Sequence, residues 1–328
     1  MSYNPPFEVN NKVLSLIAEV AELAGKVTVS AGFDKNPRLR RENRIKTIHG
    51  SLAIEQNTLS IEQVTAVIDG RRVLAPPKDI EEVKNAFEIY EVLETLNPFV
   101  VSDLLKAHGV LMRGLVEGAG EFRTKPAGVV DSATGEVIHF GSLHEYVPQL
   151  TEDLLNWLKT SNAHPLVKSS VFHYEFEVIH PFLDGNGRLG RLWHTLILSK
   201  WNPIFAYIPI ESMIYKNQKA YYECINLCNA KADSTDFIIF MLELIKQALD
   251  EITCSSGTSQ EQVKALLDFC KTPRSRKEMQ EFVGVEGRKA FNNNFLKPLF
   301  DDGKIKMTIP DKPNSRNQKY VAVEEASK

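Results

Sequence analysis

Apolar residues recur at helical spacing along most of the chain. Val13, Leu16, Ile17, Val20 and Leu23 place an amphipathic helix over residues 9–25, with Gly25 as its stop. Ile45, Ile48 and Leu52 form the next stripe, with Glu55 at its edge. A carboxylate on an apolar border either needs a partner or is a plain surface residue. Further helices are predicted over 61–70, 78–96, 102–112 (with Ser102 as its cap) and 147–159. Pro76-Pro77 marks a linker. Two extended pieces, 128–130 and 136–140, flank Asp131-Ser132-Ala133-Thr134-Gly135 and read as a hairpin. Residues 168–179 continue as a helix, which Pro181 ends at His180. Leu189, Leu192, Trp193, Leu196 and Ile197 open another helix, and 236–249 closes the core. Beyond a linker at 254–259 the pattern changes. Helices over 259–270, 275–282 and 288–300 precede strands over 304–309 and 319–323, which predicts a winged helix-turn-helix at 258–328.

Composition narrows the classes. With 39 basic and 42 acidic residues there is no overall attraction to nucleic acid or membrane, and 43% apolar residues suit a globular chain. No apolar run reaches the ~18 residues of a membrane span. Met1 to Pro6 lacks the basic start and apolar core of a signal peptide. Cys224, Cys228, Cys254 and Cys270 lack a second pair at zinc-finger spacing and read as free, mostly buried thiols, so a cytoplasmic location is expected. Arg38, Arg40, Arg41 and Arg44 read as a solvated face. Residues 258–328 hold 14 basic and 10 acidic side chains, an excess that leaves DNA contact and protein docking both open.

The candidate chemistry lies in His180-Pro181-Phe182-Leu183-Asp184-Gly185-Asn186-Gly187-Arg188-Leu189-Gly190-Arg191. An imidazole at a helix end is a candidate general base. Gly185-Asn186-Gly187 feeding a helix N-terminus can present backbone N–H groups to an anion. Arg188 and Arg191 share the first turn of that helix, where cations oppose the helix dipole, so a bound polyanion explains the pair. Asp184 beside phosphates is a natural magnesium ligand. A metal held by His173, His180 and Asp184 is a rival, but it leaves the glycines and arginines unexplained.

This run resembles the signature of the Fic (Fido) family, His-Pro-Phe-x-Asp-Gly-Asn-Gly-Arg-x-x-Arg, at every fixed position. The resemblance implies a mainly α Fic-fold core over 98–250 with a β-hairpin flap. It also implies an enzyme that moves AMP from ATP to a hydroxyl of a target protein, itself included, using Mg2+. It gives His180 the proton of the target hydroxyl and Asp184 the metal. Gly185 to Arg191, Leu189 and Gly190 included, form the nucleotide cradle: Asn186 and Gly187 at the α-phosphate, Arg188 at the β- and Arg191 at the γ-phosphate. Phe182 packs beneath the loop. Ser51-Leu52-Ala53-Ile54-Glu55-Gln56-Asn57 resembles the family's inhibitory motif, with Gln56 where Gly is frequent. It implies an inhibitory helix within 1–97 whose Ser51 and Glu55 hold Arg191. Tyr221, Tyr222 and Asn229 resemble the nucleoside contacts, and Val129 and Val130 the flap that aligns a target by strand addition. A homodimer is expected. Two alternatives stand beside transfer: removal of AMP at the same site, and a DNA-binding regulator whose core senses nucleotide.

Overall fold

The protein is described by a computed structural model, over residues 3–30, 37–130, 137–257, 260–285, 287–313, 315 and 317–323. It separates into two compact units, Met1–Glu251 and Ile252–Lys328. In chain order, α1 (Asn11–Ser30), α2 (Pro37–Ile54), α3 (Ile61–Ile68), α4 (Pro77–Glu91) and α5 (Val101–Leu111) precede a hairpin of β1 (Gly128–Val130) and β2 (Val137–Phe140). There follow α6 (Val147–Thr160), α7 (Pro165–Ile179), α8 (Asn186–Trp201), α9 (Ile210–Lys216), α10 (Gln218–Lys231) and α11 (Thr235–Gly257).

The centre of the first unit is α7 against α8. Helix α7 is buried on nearly every side, from Leu166 to Ile179, which is why its sequence shows no clean polar face. Helix α2 docks on α9 through Gly50, where a Cβ would lie 2.8 Å from the Glu211 carbonyl carbon and the Ser212 nitrogen. Ser212 Oγ donates to Lys46 O at 2.9 Å and Gln218 Nε2 to Ile54 O at 2.9 Å, so both halves of α2 are fastened. Below α2, Tyr90 and Thr195 hydroxyls donate to the buried Glu211 carboxyl at 3.1 and 2.8 Å. Burial raises the Glu211 pKa, favouring the neutral acid there.

The second unit has α12 (Gln260–Phe269), β3 (Arg274–Ser275), α13 (Arg276–Val283), α14 (Arg288–Phe291), a wide π turn over Asn292–Leu296, α15 (Lys297–Asp301), β4 (Ile305–Met307) and β5 (Lys319–Ala322). The sheet order is β3-β5-β4, both pairs antiparallel. Leu266, Met279, Phe291, Phe295 and Tyr320 form its core. This is the winged arrangement, with a short third strand that the two residues of β3 were too few to signal.

Several boundaries differ from expectation. Helix α1 runs past Gly25 because Ala24 and Val27 continue the buried stripe of Val13, Leu16 and Val20. The cap of α5 is Val100, not Ser102; Asp103 instead accepts from Asn97 N at 2.7 Å. Helix α2 begins at Pro37, so the arginine patch belongs to it, and Arg44 is buried rather than solvated. The linker expected at 254–259 is helical through Gly257, while Thr258 and Ser259 lie outside the described residues. The hairpin pairs Gly128 with Phe140 and Val129 with His139, and its turn at 131–136 lies outside the described residues.

Candidate active site

His180 caps α7 in the left-handed conformation, φ 53°, its N–H still bonded to Phe176 O at 2.9 Å. Pro181 forbids another helical turn, so the chain leaves α7 at this residue. The exit is fastened by Arg123, which sequence reasoning missed. Its Nε donates to His180 O at 2.6 Å, its Nη1 to Lys125 O at 2.9 Å, and its Nη2 to Ser142 O. One buried guanidinium thus ties the end of α7 to both feet of the hairpin. Gly141 lets these parts meet: a Cβ there would sit 2.9 Å from both His180 Cβ and Arg123 Nη2.

The loop beyond His180 is braced from inside. Phe182 is fully buried and stacks on His108, ring centroids 3.7 Å apart at 10°. His108 Nδ1 accepts from Gly120 N at 2.8 Å, so Nε2 carries the proton and donates to Asp184 O at 2.9 Å. Burial lowers the His108 pKa, in keeping with the neutral ring. Asn186 turns both ends of its amide to the loop: Oδ1 accepts from Phe182 N at 2.9 Å and Nδ2 donates to Phe182 O at 2.8 Å. What Asn186 can offer a ligand is its backbone N–H. Gly185, at φ 87°, turns the chain into α8, and no side chain caps that helix. Its first N–H groups therefore face outward without an intrahelical acceptor.

The two arginines of α8 have different partners. Arg188 bonds Glu82 and Asp184, each at 2.9 Å, with Glu82 oriented by Asn57 Nδ2 at 2.8 Å. Arg191 donates to Glu55 Oε1 at 2.7 Å, to Ser51 O at 3.0 Å and to Ser51 Oγ at 3.2 Å. The guanidinium is 1% exposed and Glu55 29%. Burial works against the charge on Arg191, but Glu55 and the nearby Tyr221 raise its pKa above the usual value overall. Glu55 ends α2: Gln56 takes φ 66° and Asn57 N returns to Leu52 O at 3.1 Å. This is a Schellman-type stop in which Gln occupies the position that glycine fills without strain. Gly187 faces the pair closely; a Cβ there would meet Glu55 Oε1 at 2.6 Å and Arg191 Nη1 at 2.9 Å.

A cavity of about 130 Å³ opens between this pair and α10. Tyr222, Asn229, His180 and Gly187 line it, joined by Asn226 and Ile225, which periodicity alone did not single out. Tyr221 touches it from the core side; its hydroxyl bonds His173 Nε2 at 3.0 Å. Asn229 Oδ1 accepts from Tyr174 at 2.9 Å. Glu177, one turn before His180, was missed as well. It lines the cavity with Oε1 lacking a hydrogen-bond partner among the described residues, and burial pushes its pKa up to about 7, with Glu55 adding to the rise and Arg191 opposing it.

The rival metal triad is overturned. His173 is fully buried and bonded to Tyr221, and the described residues hold no group of three His, Cys, Asp or Glu side chains that could grip a metal. Asp184 alone fits a different demand. Its side chain is 49% exposed, and only Oδ1 is taken, by Arg188 and Gly185 N. Magnesium commonly uses one or two carboxylates, several waters and substrate phosphates, so one outward carboxylate beside an anion nest suits it. No helix among the described residues is long and apolar enough to cross a membrane.

The Fic/DOC family profile matches residues 95–198, and that of the Filamentation induced by cAMP protein Fic-like, C-terminal domain, matches 261–321. The chain is 45% identical to a Fic family protein from Desulfovibrio desulfuricans, whose crystal structure aligns with a TM-score of 0.76 over 99% of this chain and 100% of that one. It is 25% identical over 264 residues to protein adenylyltransferase fic-1 of Caenorhabditis elegans, covering 76% of this chain and 49% of that protein. Protein adenylyltransferase Fic of Drosophila willistoni is 27% identical over 260 residues, 74% of this chain and 49% of the relative. The chain thus spans about half the length of the curated relatives it matches.

Proposed function

The chain belongs to the Fic family, and from that premise we propose that it is a protein adenylyltransferase restrained by its own Glu55. It moves AMP from ATP to a Ser, Thr or Tyr hydroxyl and releases pyrophosphate. One observation carries the reading: an uncapped helix N-terminus with two buried arginines stands beside the His180 imidazole, and Glu55 already bonds the second arginine at 2.7 Å.

His180 takes the proton of the target hydroxyl as its oxygen attacks the α-phosphorus. The bond from that phosphorus to the bridging oxygen breaks, and pyrophosphate leaves. The N–H groups of the first turn of α8, with Arg188 and Arg191, stabilise charge on the phosphates. Asp184 would hold a magnesium ion, which would supply further charge neutralisation when bound. While Glu55 and Ser51 occupy Arg191, that guanidinium cannot take a phosphate in the same geometry, and the triphosphate is left out of line for attack. The 130 Å³ cavity supports this state, being smaller than the ~300 Å³ lower bound of ordinary small-molecule sites. The bulged β1–β2 edge supports alignment of the target by strand addition.

The test is transfer of label from ATP carrying a radioactive α-phosphate, onto the chain itself or onto proteins of a cell extract, in the Glu55→Gly background. Adding His180→Ala should lower the rate by about 10²–10⁴-fold. Label that survives His180→Ala unchanged removes the imidazole from the mechanism.

A further inference from the structure

A second cavity, of about 320 Å³, lies between the first half of α2, α4 and Tyr207, on a different set of residues from the nucleotide pocket. Its wall includes Arg40, Arg41 and Arg44. Arg41 is paired with Asp69. Arg44 has no ion pair among the described residues: its side chain is 7% exposed, and its buried Nη1 lacks a hydrogen-bond partner there. It lies instead over the rings of Tyr90 and Tyr207, at 5.2 and 5.5 Å from their centroids, and Arg40 shares the Tyr207 ring at 5.5 Å.

A buried guanidinium needs an anion or hydrogen-bond acceptors. Aromatic faces return only part of its lost hydration. Glu91 and Glu94 stand on the rim of the cavity, but both are exposed, where water screens them, whereas Arg44 is not. The counter-charge that Arg44 lacks among the described residues can approach through the cavity. Tyr90 and Tyr207 hold the guanidinium plane in place, which suits a planar fork binding an oxyanion.

We infer that this cavity binds a small phosphate-class oxyanion, with Arg44 as its main ligand and Arg40 as its second. The occupant would sit on α2, the helix whose far end carries Ser51 and leads into Glu55. The binding does not rest on the transferase reading, since no residue of the site belongs to the nucleotide cradle.

The test is calorimetric titration of the full chain with inorganic phosphate and, separately, with ribose 5-phosphate, with thermal unfolding measured alongside. Arg44→Met should weaken binding by about tenfold or more, and Arg40→Met severalfold. Arg188→Met, in the nucleotide cradle, should leave this binding intact. Arg44→Met should also raise the unfolding midpoint without phosphate, because it removes a buried charge, and should abolish the rise that phosphate gives the wild type. Tighter binding of ribose 5-phosphate than of the bare ion assigns the site to phosphate esters; equal binding assigns it to the ion. Phosphate affinity that is unchanged in both Arg40→Met and Arg44→Met, or lost in Arg188→Met alone, overturns the assignment.

Discussion

Replacing Glu55 with glycine tests the restraint most directly. The change removes a carboxylate 2.7 Å from Arg191 and leaves Ser51 as that guanidinium's remaining partner. A hydrogen bond to a charged group contributes ~1.5–3 kcal/mol. Glu55 is 29% exposed, and solvent screening lowers the figure to ~1–2 kcal/mol. At ~1.4 kcal/mol per factor of ten, Arg191 becomes available to a phosphate about 5–30 times more often. The initial rate of labelling from α-labelled ATP should rise by the same factor. Stability should move the other way, by roughly 1–3 kcal/mol, because a buried guanidinium loses its counter-charge. Glu55→Gln, which keeps the shape and an acceptor but not the charge, should fall between. Faster labelling together with a lower unfolding midpoint is the signature. A Glu55→Gly chain that folds as the wild type does and labels no faster refutes the reasoning, because Arg191 would then not be the limiting group.

Glu177 and Gly187 provide two further tests. Burial raises the Glu177 pKa from 4.5 to about 7, so its neutral form stabilises the fold. That contribution is fully present below pH 4.5 and is lost as pH rises through about 7, a change of roughly 3 kcal/mol. Glu177→Gln should flatten this part of the stability profile in denaturant titrations; an unchanged slope would mean that Glu177 is ionised throughout. Gly187→Ala puts a Cβ 2.6 Å from Glu55 Oε1, so the Glu55 side-chain end must shift, and the cost is the share of its bond to Arg191 that the shift disturbs, about 1 kcal/mol. In the Glu55→Gly background that cost should shrink, and a double-mutant cycle by chemical unfolding measures the coupling. A coupling of zero would place the two residues out of contact.

The chain's own order of residues settles what is local. His180 to Arg191 is one stretch, so a helix stop, a turn, an uncapped helix start and two arginines can be read from neighbours alone. The hairpin strands and the winged unit are similarly short-range, since turn residues and a change of period announce them. Tertiary structure decided the partners. Glu82 reaches Arg188 across 106 residues, and Glu55 reaches Arg191 across 136, a pair that only the family resemblance announced. Arg123 fastening the His180 exit, His108 under Phe182, the pKa of Glu177 and the burial of Arg44 arise the same way. Periodicity tells which face of a helix leaves water, but not which side chain it meets there. A charge in a sequence looks like any surface charge until packing removes its water and supplies, or withholds, a counter-ion.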